Sequence, residues 1–458
     1  MSMKIPVLLA SSLLALFAVP VIATAQSTPS KSSQPPTSMP APNSPAAPAQ
    51  AAAPPSLTLQ QAEALALQNH PKIQAATYQA DAAQAEVTQS KSAYYPEAFG
   101  SLTGVDAETN SRIAAGALNN PIIYDRYANG IAVKQLITDF GRTHELVKSS
   151  SLHAEAEKEN VVTSRADVLL TVDRAYFNAL KAQALLVVAQ QTVNERQLVS
   201  DQVTELEKNK IKSGLDVSFA NVDLAQAQLL LVQTQNNLDA SYAELSMALG
   251  YGEEKSFTLV EDPLPSAPPA NFADLLQRAI QNRPELISLR LDANSAHSYA
   301  LAERDLWFPT VSAAGAAGLT PVGADQLAPR YAAAGFNVNI PLFNGHLFGA
   351  LRSEADANAR AQDQSLRALQ DRVVRDVRTA WLNANSSFKN LSITGQLLSS
   401  ANQALDLAQS RYKLGLSSII ELSQAQLNQT QAQIAEAGAK YDYDISISDL
   451  NYQTGALH

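Results

Sequence analysis

The residue types that most often do chemistry are present in this chain, but without the spacing that chemistry needs. His144 and Glu145 open a segment that a zinc-protease helix would close with a second histidine, and the fifth position is Lys148 instead. Two imidazoles therefore cannot meet one metal on a helical face. No Gly-x-x-x-x-Gly-Lys segment is present to cradle a nucleotide's phosphates. Cysteine is absent, which removes disulfides, thiolate metal sites and a lipid-bearing N-terminal cysteine, and the six histidines are scattered. No catalytic residue, cofactor or metal is expected. What remains is charge gathered near Gly214 and Gly415: Lys208, Lys210, Lys212 and Lys413, with the acids Asp216, Asp223 and Glu421. Such lysines suit the docking of an acidic protein surface. They equally suit the solvated C-terminal ends of helices, where a cation is favourable. The mildly acidic balance, 43 Asp and Glu against 33 Lys and Arg, argues against a nucleic-acid partner.

The elements that position these charges are long helices. Val373, Val377, Ala380, Ala384, Ser387, Leu391, Thr394, Leu398, Ala401, Leu405, Ala408 and Tyr412 step by four and three without a break. That is the period of helices that wrap around each other. Beyond Gly415 the residues Ile420, Leu427, Ile434 and Tyr441 recur every seventh position. Glycine relieves the positive-φ penalty at a helix end, and Ser417 or Ser418 can cap the next helix. The segment reads as an antiparallel helical hairpin with its tip at Gly415. An earlier one is read from Val168, Val172, Ala175, Ala179, Ala182, Leu186, Ala189 and Val193, then Val217, Ala220, Leu224, Ala227, Leu231, Thr234 and Leu238, with Gly214 at its tip. The run from Arg142 to Glu207 contains neither Pro nor Gly, and as a helix would reach roughly 100 Å. A second seam, Leu169, Tyr176, Leu180 and Val187, gives it neighbours on two sides, as in a ring of helices.

The chain is built twice. Gln68-Asn69-His70-Pro71 matches Gln281-Asn282-Arg283-Pro284, Tyr94-Tyr95-Pro96 matches Trp307-Phe308-Pro309, Ala175-Tyr176 matches Ala380-Trp381, and Gly214-Leu215 matches Gly415-Leu416. Ordered matches at a drifting offset indicate duplication, with repeats at 57–252 and 271–457 and a Pro-rich join at 262–269. Ahead of them, residues 1–25 read as a secretory signal: Lys4, an apolar core from Val7 to Val21, and Ala23-Thr24-Ala25 as a small-residue cleavage site. Residues 26–56, rich in Ser, Pro, Ala and Gln, are expected to stay extended and mobile.

Each repeat also holds two strand-like segments. In Tyr331 to Leu342, Phe336, Val338, Ile340 and Leu342 alternate with Gly335, Asn337 and Asn339; earlier, Tyr127, Ile131 and Val133 alternate with Ala128, Gly130, Ala132 and Lys134. Their partners, near 97–106 and 310–320, are rich in Gly and Ala. Segments of about ten residues suit tilted bilayer-crossing strands, and also a half-buried hairpin in a soluble domain. Four strands cannot close a barrel, and an open edge cannot face lipid. Membrane strands would therefore oblige the chain to oligomerise, and three copies give an even number in the usual range.

In this order and number the elements resemble the outer-membrane efflux proteins of the TolC family. Gln135-Leu136-Ile137-Thr138-Asp139-Phe140-Gly141-Arg142 and Pro341-Leu342-Phe343-Asn344-Gly345 resemble the family's strand-to-helix joins. Arg411-Tyr412-Lys413-Leu414-Gly415-Leu416 and Leu422-Ser423-Gln424-Ala425-Gln426 resemble its second hairpin tip. The resemblance implies a mainly α fold with a membrane β-barrel: a homotrimer with a twelve-strand barrel, four strands per chain, continued by a long α-helical barrel into the periplasm. It implies an exit duct in the outer-membrane lipid, opened by a periplasmic adaptor and an inner-membrane pump of the resistance-nodulation-division or ABC type. Tyr412 stands where the family has a tip tyrosine. Ser417 stands where an arginine can occur, and Ala220, six residues past Gly214, stands where an acid is expected. Glu421 keeps an acidic position and Gln424 does not keep the next. The implied gate lacks an arginine-centred latch. It closes by packing and neutral hydrogen bonds, with Glu421 and Asp223 supplying charge and three copies of Glu421 forming a ring that favours cations. The competing reading is a soluble periplasmic coiled-coil adaptor or scaffold.

Overall fold

The computed structural model describes residues 56–108, 122–253, 255–323 and 325–457. The expected secretory signal, 1–25, and all of the 26–56 segment except Ser56 lie outside the described residues. In chain order the elements are β1 (Ser56–Leu57), α1 (Leu59–Asn69), α2 (Pro71–Ser92), β2 (Glu97–Val105), β3 (Arg126–Thr138), α3 (Arg142–Lys208), α4 (Gly214–Ala248), β4 (Thr258–Leu259), α5 (Phe272–Asn282), α6 (Pro284–Arg304), β5 (Thr310–Gly323), β6 (Arg330–Asn339), α7 (Leu347–Lys413) and α8 (Ile419–Gln453). The helices run 11, 22, 67 and 35 residues, then 11, 21, 67 and 35. Local chemistry sets the boundaries. Thr58 and Gln61 cap α1 reciprocally, and Pro71 and Pro284 occupy the first positions of α2 and α6, where a missing N–H costs nothing.

α3 packs against α4, α6, α2 and α8, while α7 packs against α8 and α6. The small and branched seam residues are what let these helices approach. Val168, Val172, Ala175 and Ala179 of α3 are buried with Ala62 and Ala66 of α1 and Leu245 of α4. Val373, Val377, Ala380 and Ala384 of α7 are buried with Leu275 and Ala279 of α5 and Leu286 of α6. The short parallel pair β1–β4 ties residues 56–57 to 258–259. The buried Tyr176 closes it, donating to the Val260 carbonyl at 2.6 Å and accepting from the Val260 N–H at 3.2 Å.

Two expected seams are buried only in part within one chain. On the second seam of α3, Leu169, Tyr176 and Leu180 are buried and Val187 is 56 % exposed. On α8, Ile420 and Leu427 are exposed, and the buried face runs through Ile419, Leu422, Ala425, Gln426, Gln429 and Thr430. α8 contacts α7, α3 and α4, so small and polar residues line most of its packed surface.

The four strands form one antiparallel sheet in the order β2-β3-β5-β6, the two hairpins meeting through β3 and β5. Residues directly opposite share a face. The pairings Leu102↔Asn129↔Leu319, Gly100↔Ile131↔Ala317, Ala98↔Val133↔Gly315, Ala313↔Phe336 and Val311↔Val338 put seven large apolar side chains on one side, and all but the half-buried Val311 are exposed. The other side carries Glu97, Ser101, Lys134, Ser312, Asn337 and Asn339, with Phe99 and Tyr331 among them. Tyr331 lies across Gly130 and Gly318, where an added Cβ would collide with its ring. β6 ends at Asn339, so Ile340 and Leu342 fall beyond the strand. Among the described residues no helix is long and apolar enough to cross a membrane.

Candidate functional site

The residues singled out by charge and spacing converge at the free ends of the two helical hairpins. At the second end α7 stops at Lys413 and Gly415 takes φ +73°. The Gly415 N–H bonds the Tyr412 carbonyl at 3.0 Å, and the Leu416 N–H bonds that of Arg411 at 2.9 Å. These are the two bonds that satisfy the last carbonyls of a helix closed by a left-handed residue. Ser418 then caps α8, accepting from the Glu421 N–H at 3.4 Å. The Glu421 carboxylate turns back to Arg411, 3.0 Å from Nε.

The first end uses the same backbone solution, but not at Gly214. The left-handed residue is Lys210, with φ +59°. Its N–H bonds the Glu207 carbonyl at 2.7 Å, and the Ile211 N–H bonds that of Leu206 at 2.8 Å. Gly214 is the first residue of α4, and the cap before it is Ser213. Asp216 accepts from the Ser213 N–H at 3.0 Å while Ser213 Oγ accepts from the Asp216 N–H at 3.3 Å. Lys208 and Lys413 end the descending helices, Gly214 and Ile419 begin the returning ones, and both pairs are 205 residues apart. The pairing of Gly214 with Gly415 is therefore out of step by four residues: Lys210 corresponds to Gly415, Ser213 to Ser418 and Asp216 to Glu421. Six residues past the left-handed Lys210 stands Asp216, as Glu421 stands six past Gly415, and the position expected to be acidic remains Ala220.

Both ends pack into one cluster. Tyr412, Leu405 and Ala408 of α7 bury against Val203 of α3, Ala220 of α4, and Ile419, Leu422 and Ala425 of α8. Lys212 lies over the Tyr412 ring, its Nζ 3.9 Å from the centroid, a cation–π contact between the two ends. The Tyr412 hydroxyl is buried without a hydrogen-bond partner. Burial, with a smaller contribution from Asp216, holds its pKa above the ordinary phenol value. Beside it, a cleft of ≈ 440 Å³ is lined by Leu198, Leu206, Ile211, Lys212 and Lys413. Ser417 Oγ is likewise buried and unpartnered. Lys208 pairs with Glu205 on its own helix at 2.6 Å, and Asp223 accepts from Ser423 Oγ of α8 at 2.5 Å.

Farther in lies a residue the sequence reading missed. Arg196 of α3 is buried, and its Nη2 donates to the Gln426 carbonyl at 2.8 Å and to Thr430 Oγ1 at 3.1 Å. Burial holds its pKa below the usual guanidinium value, opposed by Asp223 and Glu195. The signal was there to find. Continuing the four-three stepping of α3 past Val193 lands on Arg196, Ser200 and Val203.

Long helical hairpins carrying a four-stranded sheet at their roots make the fold of an outer-membrane channel. The *Campylobacter jejuni* CmeC outer membrane channel superposes with a TM-score of 0.76 at 17% identity, over 87% of this chain and 85% of that one. The outer membrane protein VceC of *Vibrio cholerae* gives 0.74 at 17% identity, over 87% and 96%. The chain belongs to the outer membrane efflux protein family, whose model matches residues 64–251 and 275–456. Outer membrane protein TolC of *Salmonella enteritidis* is 24% identical over 423 residues, 88% of this chain and 84% of that protein. The protein is thus an outer-membrane efflux protein with the fold of the solved channels, and the soluble adaptor or scaffold reading falls, because the family match and that fold span the helices and the sheet together.

Proposed function

We propose that three copies of this chain assemble into a passive exit duct, a twelve-strand barrel in the outer membrane continued by a helical tunnel through the periplasm. Two tandem repeats, 57–252 and 271–457, each contribute one strand hairpin and one helical hairpin. The signal at 1–25 directs export, 26–56 is a linker, and 262–269 joins the halves. The observation that carries the reading is the sheet. Among the described residues β2 and β6 each pair on one side only, and one face presents Leu102, Ile131, Val133, Leu319, Phe336 and Val338 to the surroundings. Open edges in hydrocarbon are untenable, and closure by sister chains satisfies them. The helices agree. Leu215, Val222 and Leu229 recur every seventh residue on α4 and are exposed, as expected of a seam awaiting a neighbour.

The tips are the gate. Tyr412, Gly415 and Ser417 with Gly214, Asp216, Asp223 and Glu421 close it, and a periplasmic adaptor with an inner-membrane pump of the resistance-nodulation-division or ABC type opens it. Lys208, Lys210, Lys212 and Lys413 offer the adaptor a positive rim. The duct has no catalytic step of its own. Purified chain in mild detergent should migrate as a trimer and conduct ions across a planar lipid bilayer; monomeric material that carries no current defeats this reading. Glu421→Gln should lower the cation preference of the open pore, and an unchanged reversal potential in a salt gradient removes Glu421 from the selectivity ring.

A further inference from the structure

Position 417 holds no arginine, yet a guanidinium crosses between the hairpins deeper in the bundle. Arg196 precedes the end of α3 by twelve residues, which places it roughly 18 Å from the tip. It is 5 % exposed. Nη2 reaches two acceptors on α8, the Gln426 carbonyl and Thr430 Oγ1, while Nη1 is buried without a partner. From α4, Asp223 faces the guanidinium and takes a hydrogen bond from Ser423, also on α8. Arg196 and Asp223 both line a pocket of ≈ 100 Å³ with Thr192, Ser423, Leu427 and Thr430. The first hairpin therefore grips one face of α8 with one charged group of each sign.

We propose that Arg196 is the latch that holds the second hairpin against the first, and that the tips part only when α8 withdraws from its guanidinium. This rests on the reading of the tips as a gate. A buried charge is an expensive way to fasten two helices, since apolar residues of the same volume commonly serve as well or better. Its advantage is that it can let go. The Gln426 carbonyl also accepts from Thr430 Oγ1 at 3.1 Å, so α8 leaves with that acceptor still satisfied. Arg196 keeps the field of Asp223 on its own hairpin. A packed methionine would offer no such release.

The test is single-channel recording of the full-length assembled protein in planar bilayers. Arg196→Gln should raise the closed-state current about tenfold or more, the equivalent of losing a charge-assisted hydrogen bond. Arg196→Lys should fall between, because a single ammonium cannot reproduce the forked donor geometry. Ser423→Ala should give a smaller rise. Thermal unfolding of the Arg196→Gln assembly, followed in parallel, should move little, whereas a purely structural role would shift it and leave the current alone. Closed-state current at the wild-type level in Arg196→Gln overturns the latch. Should that variant fail to assemble, wild-type current in both Arg196→Lys and Ser423→Ala overturns it equally. A wild-type protein that conducts in no state overturns the gate reading and the latch with it, whereas conducting wild type with unaltered variants removes the latch alone.

Discussion

The two hairpin tips solve one backbone problem with different chemistry. Both end the descending helix on a left-handed residue and begin the returning helix on a serine cap. At the second tip the left-handed residue is Gly415 and the first-turn acid, Glu421, faces across the turn to Arg411. At the first tip Lys210 holds that conformation and Asp216 bonds back to its own cap. The second tip is built for an easy turn, while the first accepts strain and keeps its acid local. Backbone geometry, rather than residue identity, is what the two halves share.

Tyr412 is where this contrast is sharpest. Its counterpart 205 residues earlier is Glu207, which is exposed. Tyr412→Ala should destabilise the tip by about 3–5 kcal/mol, the range for emptying a buried aromatic site, whereas Glu207→Ala should stay within about 0.5 kcal/mol. Denaturant unfolding of the two variants checks the pair, and equal losses would erase the asymmetry.

A second asymmetry lies at the hairpin roots. In the first half Glu63 of α1 meets Asp173 of α3; burial, and then Asp173 itself, pushes the Glu63 pKa up to about 7, and burial raises that of Asp173. The corresponding residues of the second half are Leu276 and Arg378, and Arg378 stacks on Phe272 and Trp381 at 4.8 and 5.0 Å. A carboxyl whose folded pKa is raised stabilises the fold below its unfolded value of 4.5 and loses that contribution as pH rises through 7. The melting temperature should therefore decline between pH 5 and 8. Glu63→Gln should flatten the decline; an unaltered slope would show that another group sets it.

Smaller effects come from the turns themselves. Gly415→Ala should cost about 1 kcal/mol, from φ alone, since nothing crowds the site. Lys210→Gly should gain up to about 1 kcal/mol by relieving the same penalty. A pair of melting curves reads both signs, and matching signs would contradict the shared backbone geometry. The exposed Arg411–Glu421 pair is smallest: Arg411→Gln should change stability by less than about 1 kcal/mol.

What the sequence made legible follows from which forces leave a mark in it. The length of α3 was readable because nothing in Arg142 to Glu207 breaks a helix, and the second tip was readable because glycine marks a left-handed turn. The first tip was not, because a lysine takes that conformation and the nearby Gly214 drew the alignment four residues away. The packed face of α8 was hidden for another reason. Apolar periodicity cannot report a surface where Gln426, Gln429 and Thr430 are buried against three helices. Arg196 stood in the seam's own register, but charge reads as solvent unless the stepping is followed through it.

Tyr331 carries a last consequence. Its ring rests where Gly130 and Gly318, on two adjoining strands, present only hydrogens. A slip of β6 by one residue would flip the phenol to the opposite face and leave Ala332 or Arg330 over that bare patch. The aromatic thus works as a key cut for two notches, and proofreads the alignment of three strands before the ribbon meets any other.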